Sequence, residues 1–142
     1  MNRINSKVKG AKAERDVIGM LWPAMAEVSE QLGIELVKPS RNLEQSRAGG
    51  CDLNDVPGFA VEVKFHAKPK IYDWWLQAKR QAEEIGLEPI LAYKVNGWQW
   101  RFRVVSQVQV GSKWVRGPVE MDEAFFLVWF KLKLIQHLSA QK

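Results

Sequence analysis

The sequence predicts an α/β fold in which helices pack on the faces of a mixed β-sheet. Three observations predict it. Three stretches carry apolar residues at helical spacing, the runs between them alternate apolar with polar side chains, and glycine-rich turn clusters separate the two kinds of run. The resulting order is helix, three strands, helix, strands, helix.

The first helix is expected over Lys12–Leu32. There Val17, Ile18, Leu21, Met25, Val28 and Leu32 share a face, and Gly33 suits the left-handed residue that ends many helices. Pro23 is expected to kink this helix or split it in two. "IELVK" reads as a short strand and "PSRNLEQSRAGG" as a loop. "CDL", the turn cluster "NDVPG" and "FAVEVKF" read as a hairpin. On its second strand Phe59, Val61, Val63 and Phe65 face one side, while Ala60, Glu62 and Lys64 face the other.

"IYDWWLQAKRQAEEIG" is a helix with Ile71, Trp74, Trp75, Ala78, Ala82 and Ile85 on one broad face and Gly86 at its end. "PILAYKV" and "WQWRFRVV" flank Asn96-Gly97, a strong hairpin signal, with Trp98, Trp100, Phe102 and Val104 expected on one face. A small hairpin is expected through Gly111-Ser112. The last helix runs from Asp122, near its N-cap, to about Leu138. It is apolar nearly all round from Phe125 to Phe130, which means burial in the core or cover by a partner.

At 142 residues, 46% hydrophobic and 26% charged, the chain suits one domain with its own core. The expected unit is 1–142, with a core over about 9–105 and a helical extension over about 121–139. The single cysteine, Cys51, excludes an intrachain disulfide framework and a multi-cysteine zinc site. Two histidines, His66 and His137, argue against a histidine-based metal site. With no apolar leader core and no membrane-length apolar run, a cytoplasmic location is expected. The net charge of +5 favours an anionic partner, nucleic acid first. Its cations gather in the N-terminal arm (Arg3, Lys7, Lys9, Lys12, Arg15) and around the central strand (Lys64, Lys68, Lys70, Lys79, Arg80).

Glu62 and Lys64 share one face of a strand, and Asp52 lies across the hairpin turn from Glu62, with Cβ atoms expected about 7–8 Å apart. Two such carboxylates repel each other and raise each other's pKa unless a cation lies between them. Mg²⁺ suits that position, since it uses one or two carboxylates and keeps several waters. A metal-bound water loses its proton more readily, and a neighbouring ammonium can orient it or offset charge on a phosphate. The competing reading of Glu62 and Lys64 is a salt-bridged outer face of an edge strand. Glu14 begins the apolar face of the first helix, so it should point toward the sheet. Gln77 lies beside Trp74 and Ala78 on the second helix, where its amide can hydrogen-bond to a phosphate or to the site.

Glu14, Asp52 and the "EVK" of Glu62–Lys64 resemble the core of the PD-(D/E)xK nuclease superfamily, with Cys51 at the nominal proline. More narrowly, "KGAKAERDVIGML", "GGCDL", "VEVKF", the helix bearing Gln77 and "ILAYKVNGWQWRF" are similar to archaeal-type Holliday junction resolvases and their phage relatives, in order from about Lys9 to Val105. The resemblance implies a restriction-endonuclease-like fold and a metal-dependent endodeoxyribonuclease. It implies Asp52 and Glu62 as metal ligands with the Val63 carbonyl, Lys64 at the attacking water, Glu14 as outer ligand or water anchor, and Gln77 positioning water or substrate. The cofactor implied is Mg²⁺, with Mn²⁺ as its substitute. The implied partner is DNA, preferably four-way or branched junctions, cut by a homodimer; for a phage protein the location is the host cytoplasm. Lys9, Lys12, Arg15, Arg41, Ser46, Arg47, Lys68 and Lys70 are the expected DNA contacts. Other readings are a nickase, repair or restriction-like nuclease, a non-catalytic DNA-binding module, or an interaction protein using the last helix.

Overall fold

The computed structural model describes residues 3–44 and 50–140, with side chains from residue 9 onward. The elements are α1 (Arg3–Leu32), β1 (Ser40–Arg41), β2 (Leu53–Asn54), β3 (Phe59–His66), α2 (Ile71–Glu84), β4 (Glu88–Val95), β5 (Arg101–Val110), β6 (Lys113–Asp122) and α3 (Glu123–Ala140). Four strands form one sheet in the order β3-β4-β5-β6. β3 and β4 are parallel and joined by α2, while β4–β5 and β5–β6 are antiparallel. This is the mixed α/β sheet expected.

α1 begins nine residues earlier than expected, at Arg3 rather than Lys12, and Pro23 does not split it. Pro23 and Gly19, whose carbonyl the proline leaves without an intrahelical donor, are both exposed, so that carbonyl faces solvent. The opposite face, with Val17, Leu21, Met25 and Val28, is buried. Residues 34–38 do not form the expected strand. Ile34 and Leu36 pack on the core as irregular chain, and the Ser29 hydroxyl donates to the Ile34 carbonyl. The short strand falls later, at Ser40–Arg41, inside the stretch read as loop. It forms there because Leu53–Asn54 returns alongside it, pairing Ser40 with Asn54 and Arg41 with Leu53. The ladder bonds of β2 therefore go to β1, not to β3 as the expected hairpin required.

The main core lies between the sheet and the α1/α3 layer. Val61, Val63, Ala92, Phe102 and Val104 meet Val17 and Leu21 of α1 and Phe126, Phe130 and Leu134 of α3. The other face is covered by α2, whose Trp74, Trp75 and Ala78 pack on Leu91, Tyr93 and Val95. The Asn96-Gly97 turn forms, with Gly97 at φ 83° and a Trp98 N–H to Val95 carbonyl bond of 2.8 Å. The strands resume pairing only at Tyr93 and Arg101, so the connection is wider than a two-residue hairpin. As a result Trp98 packs with the α2 cluster and Trp100 with the main core, on opposite faces and not on one as expected. The hairpin through Gly111-Ser112 is larger than expected, with ten residues in each strand.

α3 starts as expected: the Asp122 carboxylate accepts the Phe125 N–H at 2.8 Å. Phe126, Phe130, Leu134 and Leu138 are buried, and the Phe102 and Phe126 rings stack at 4.0 Å. Phe125, Val128 and Leu132 are 62%, 54% and 63% exposed. The helix thus packs on its own sheet with one face and leaves an apolar stripe outside. Among the described residues no helix is long and apolar enough to cross a membrane.

Candidate active site

β3 is an edge strand, and its outer row of backbone polar groups holds Asp52 in place. The Asp52 N–H donates to the Val61 carbonyl at 3.0 Å, and the Val63 N–H donates to Asp52 Oδ2 at 2.7 Å. In an extended strand the N–H and C=O of one residue point to the same side, so the Val63 carbonyl faces the Asp52 segment as well. From the other side, Asn42 donates its backbone N–H to the Asp52 carbonyl at 2.8 Å and its side-chain amide to the Cys51 carbonyl at 2.9 Å. Asp52 is thereby clamped between β3 and the short β1–β2 unit; its bond to Val61 crosses the turn near Val56 as read in the sequence, and the hold from Asn42 is added to it.

Glu62, on β3, is 2% exposed, and its Oε2 has no hydrogen-bond partner. Burial, then the hydrogen bond and charge of Asp52, push the Glu62 carboxyl up to about 10, against the opposing pull of Lys64. Glu14 projects from α1 beside them. Burial and the Asp52 charge raise its pKa, and Arg41, whose Nε lies 3.5 Å from Glu14 Oε2, opposes this. That separation is an ion pair too long for a hydrogen bond.

Glu14, Asp52 and Glu62 line a cavity of about 350 Å³ together with Lys9, Lys64 and His66, and Gln77 reaches it from α2. The donor chemistry fits a hard cation. Two adjacent buried acids, one of them with an unpartnered oxygen on Glu62, are unfavourable when both are charged and become favourable around a divalent ion. Among the described residues no set of three His, Cys, Asp or Glu side chains converges on one point. Backbone carbonyl and water would therefore complete the coordination, as Mg²⁺ commonly accepts.

Among the described residues, Lys9 is the one expected DNA contact that lines this cavity. Arg15 and Arg41 line a separate groove of about 440 Å³ with Lys38 and Ser40, joined to the site through the Arg41–Glu14 pair. Lys12 is paired with Asp16 at 2.9 Å along α1. Lys68 and Lys70 are exposed in the connection between β3 and α2. Ser46 and Arg47 lie outside the described residues. Sequence reasoning passed over His66, which the structure brings to the cavity. The signal was available: Ala60, Glu62, Lys64 and His66 continue one period-two face.

A sheet whose edge strand presents E-x-K beside a clamped aspartate defines the PD-(D/E)xK class of nuclease. Residues 5–127 match the family described as "Phage putative PDDEXK endonuclease". The chain belongs to that phage family of PD-(D/E)xK endonucleases. No curated protein matches it. Among solved structures it is similar to Hjc, a Holliday junction resolvase from Archaeoglobus fulgidus, at 20% identity and a TM-score of 0.44, over 84% of this chain and 88% of that one.

Proposed function

We propose that this chain is a Mg²⁺-dependent, structure-specific endodeoxyribonuclease that hydrolyses phosphodiester bonds at four-way or branched DNA junctions, with Mn²⁺ as a substitute ion. The observation that carries the metal-dependent part is the buried Asp52–Glu62 pair with its unpartnered Glu62 Oε2, in one cavity with Lys64. Asp52, Glu62 and the Val63 carbonyl would hold the ion. When bound, it supplies Lewis-acid stabilisation of phosphate charge and eases proton loss from water.

The protein's own groups do the remaining work. Lys64 orients the attacking water and offsets negative charge developing on the phosphate. Glu14 accepts hydrogen bonds from the water shell, held at its post by Arg41. Gln77 offers an amide donor to substrate or water from α2. The clamp on Asp52 keeps its carboxylate fixed relative to Glu62 while DNA arrives.

Junction preference rests on the ordered set of motifs shared with resolvases between Lys9 and Val105. Paired cuts across a two-fold junction call for two active sites, and the exposed Phe125–Val128–Leu132 stripe of α3 is apolar surface that a second copy would cover. The test is competitive cleavage of a labelled four-way junction and its matched duplex in Mg²⁺. Paired symmetric nicks confined to the junction support the proposal. Equal cutting of the duplex leaves a nuclease without junction preference.

A further inference from the structure

The cavity also carries groups that the chemistry above leaves unused, His66 and Lys9. His66 ends the Ala60–Glu62–Lys64 face of β3, with its ring on that of Trp74 at 5.1 Å between centroids. Trp74 is 4% exposed and sits in the first turn of α2, so it fixes the imidazole from below while His66 itself stays exposed. Lys9 and Lys64 line the same cavity. Lys9 is itself held, its Nζ donating to Asn96 at 3.0 Å and lying 4.2 Å from the centre of the Phe65 ring. Lys70, the N-cap of α2, makes no side-chain capping bond. The positive end of that helix therefore adds to the local field at the turn that carries Trp74.

Among the described residues, the charged groups that act on His66 are ammonium groups: Lys64, Lys9 and Lys70. Burial first, and then these ammonium groups, lower its pKa, which favours the neutral ring with its one N–H donor. The carboxylates of the cavity act on Lys64, whereas the charges acting on the His66 ring are cationic, so an anion placed beside that ring would be favourable. The ion pair that α1 makes further along, Lys12 with Asp16, shows the usual alternative, and Lys9 lacks it.

We propose that His66, Lys9 and Lys70 form a phosphate subsite that holds the DNA phosphodiester next to the scissile one. This rests on the nuclease reading of the same cavity. The imidazole edge, fixed by Trp74, donates to a phosphate oxygen, and the two lysines supply the countercharge. Holding a neighbouring phosphate sets the register of the strand against Asp52, Glu62 and Lys64.

The test has a metal-free arm and a cleavage arm. In the first, imidazole resonances of His66 are followed in the chelated full-length protein as inorganic phosphate is added. A saturable shift of the His66 signals, absent for His137, supports the subsite; no shift overturns it. In the second, junction DNA carries one neutral methylphosphonate at the position flanking the cut. The wild type loses about tenfold in KM against the unmodified strand, His66→Ala loses the same on unmodified DNA, and the two losses do not add. His66→Gln, which keeps an N–H donor, recovers part of the loss. Equal methylphosphonate penalties in wild type and His66→Ala overturn the inference and leave the nuclease reading standing. A His66 shift with no cleavage of any DNA keeps the subsite and removes the nuclease reading. A penalty seen only on removing a 5′-terminal phosphate assigns the pocket to a strand end and overturns the flanking assignment.

Discussion

Replacing Glu62 by glutamine should stabilise the metal-free protein while abolishing its activity. The unfolded carboxyl titrates near 4.5, whereas in the fold it is pushed up to about 10 by burial and by Asp52. Between those values the folded state holds a proton that the unfolded state has released. The folded state therefore binds more protons, and stability falls as pH rises through that window. At pH 7 the gap is about 2.5 pH units, or about 3 kcal/mol at 1.36 kcal/mol per unit, as an upper bound on the cost. Glutamine removes the ionisation, keeps the shape and can still hydrogen-bond to Asp52. The expected gain of up to about 3 kcal/mol corresponds to about 5–10 °C in Tm for a chain of this size. The assay is thermal melting in chelator at pH 5, 7 and 9. Wild-type Tm should fall with pH, and Glu62→Gln should start higher at neutral pH and stay flat. Adding Mg²⁺ should lift the wild type most at high pH, since the ion replaces the retained proton. A pH-independent wild-type Tm in chelator, or a variant that melts lower than wild type at pH 7, would refute the reasoning.

Four further substitutions have outcomes fixed by the same structure. Lys64→Met should lower kcat by about 10²–10³-fold with little change in Tm, checked by single-turnover cleavage and melting. Gly58→Ala should destabilise by about 1–2 kcal/mol in urea titration, because Gly58 sits at φ 84° and an added Cβ would lie 3.0 Å from the His137 ring. Phe126→Ala should cost about 3–5 kcal/mol as a fully buried ring, whereas Leu132→Ser should leave unfolding unchanged and shift any dimer to monomer in sedimentation velocity.

The elements whose pattern carries their own signal were legible in the sequence. α2, β3, β4 and the capped start of α3 fall where periodicity and turn chemistry place them, because each buries one face and ends at a residue suited to ending it. What failed depended on distant partners. "IELVK" has strand composition but no strand beside it, so it stays irregular, while Ser40–Arg41 gains a partner from Leu53–Asn54. The widening of the Asn96-Gly97 connection separated Trp98 from Trp100, which alternation alone places together. At the site, the nearness of Asp52 and Glu62 was readable from spacing across the turn. The means was not: a backbone clamp from Val61, Val63 and Asn42 leaves no mark on composition. His66 was readable as the next residue of the Glu62–Lys64 face, but its hold on Trp74 required α2 to be in place.

The measurement to make is cleavage of a 5′-labelled four-way junction by the wild type and by Asp52→Asn, each with Mg²⁺ and with chelator. The Asp52–Glu62 centre predicts cutting by the wild type in Mg²⁺ alone, and none by the variant under either condition although it still binds the junction. Cutting that survives chelation, or that Asp52→Asn retains, would contradict a metal-dependent centre built on this pair.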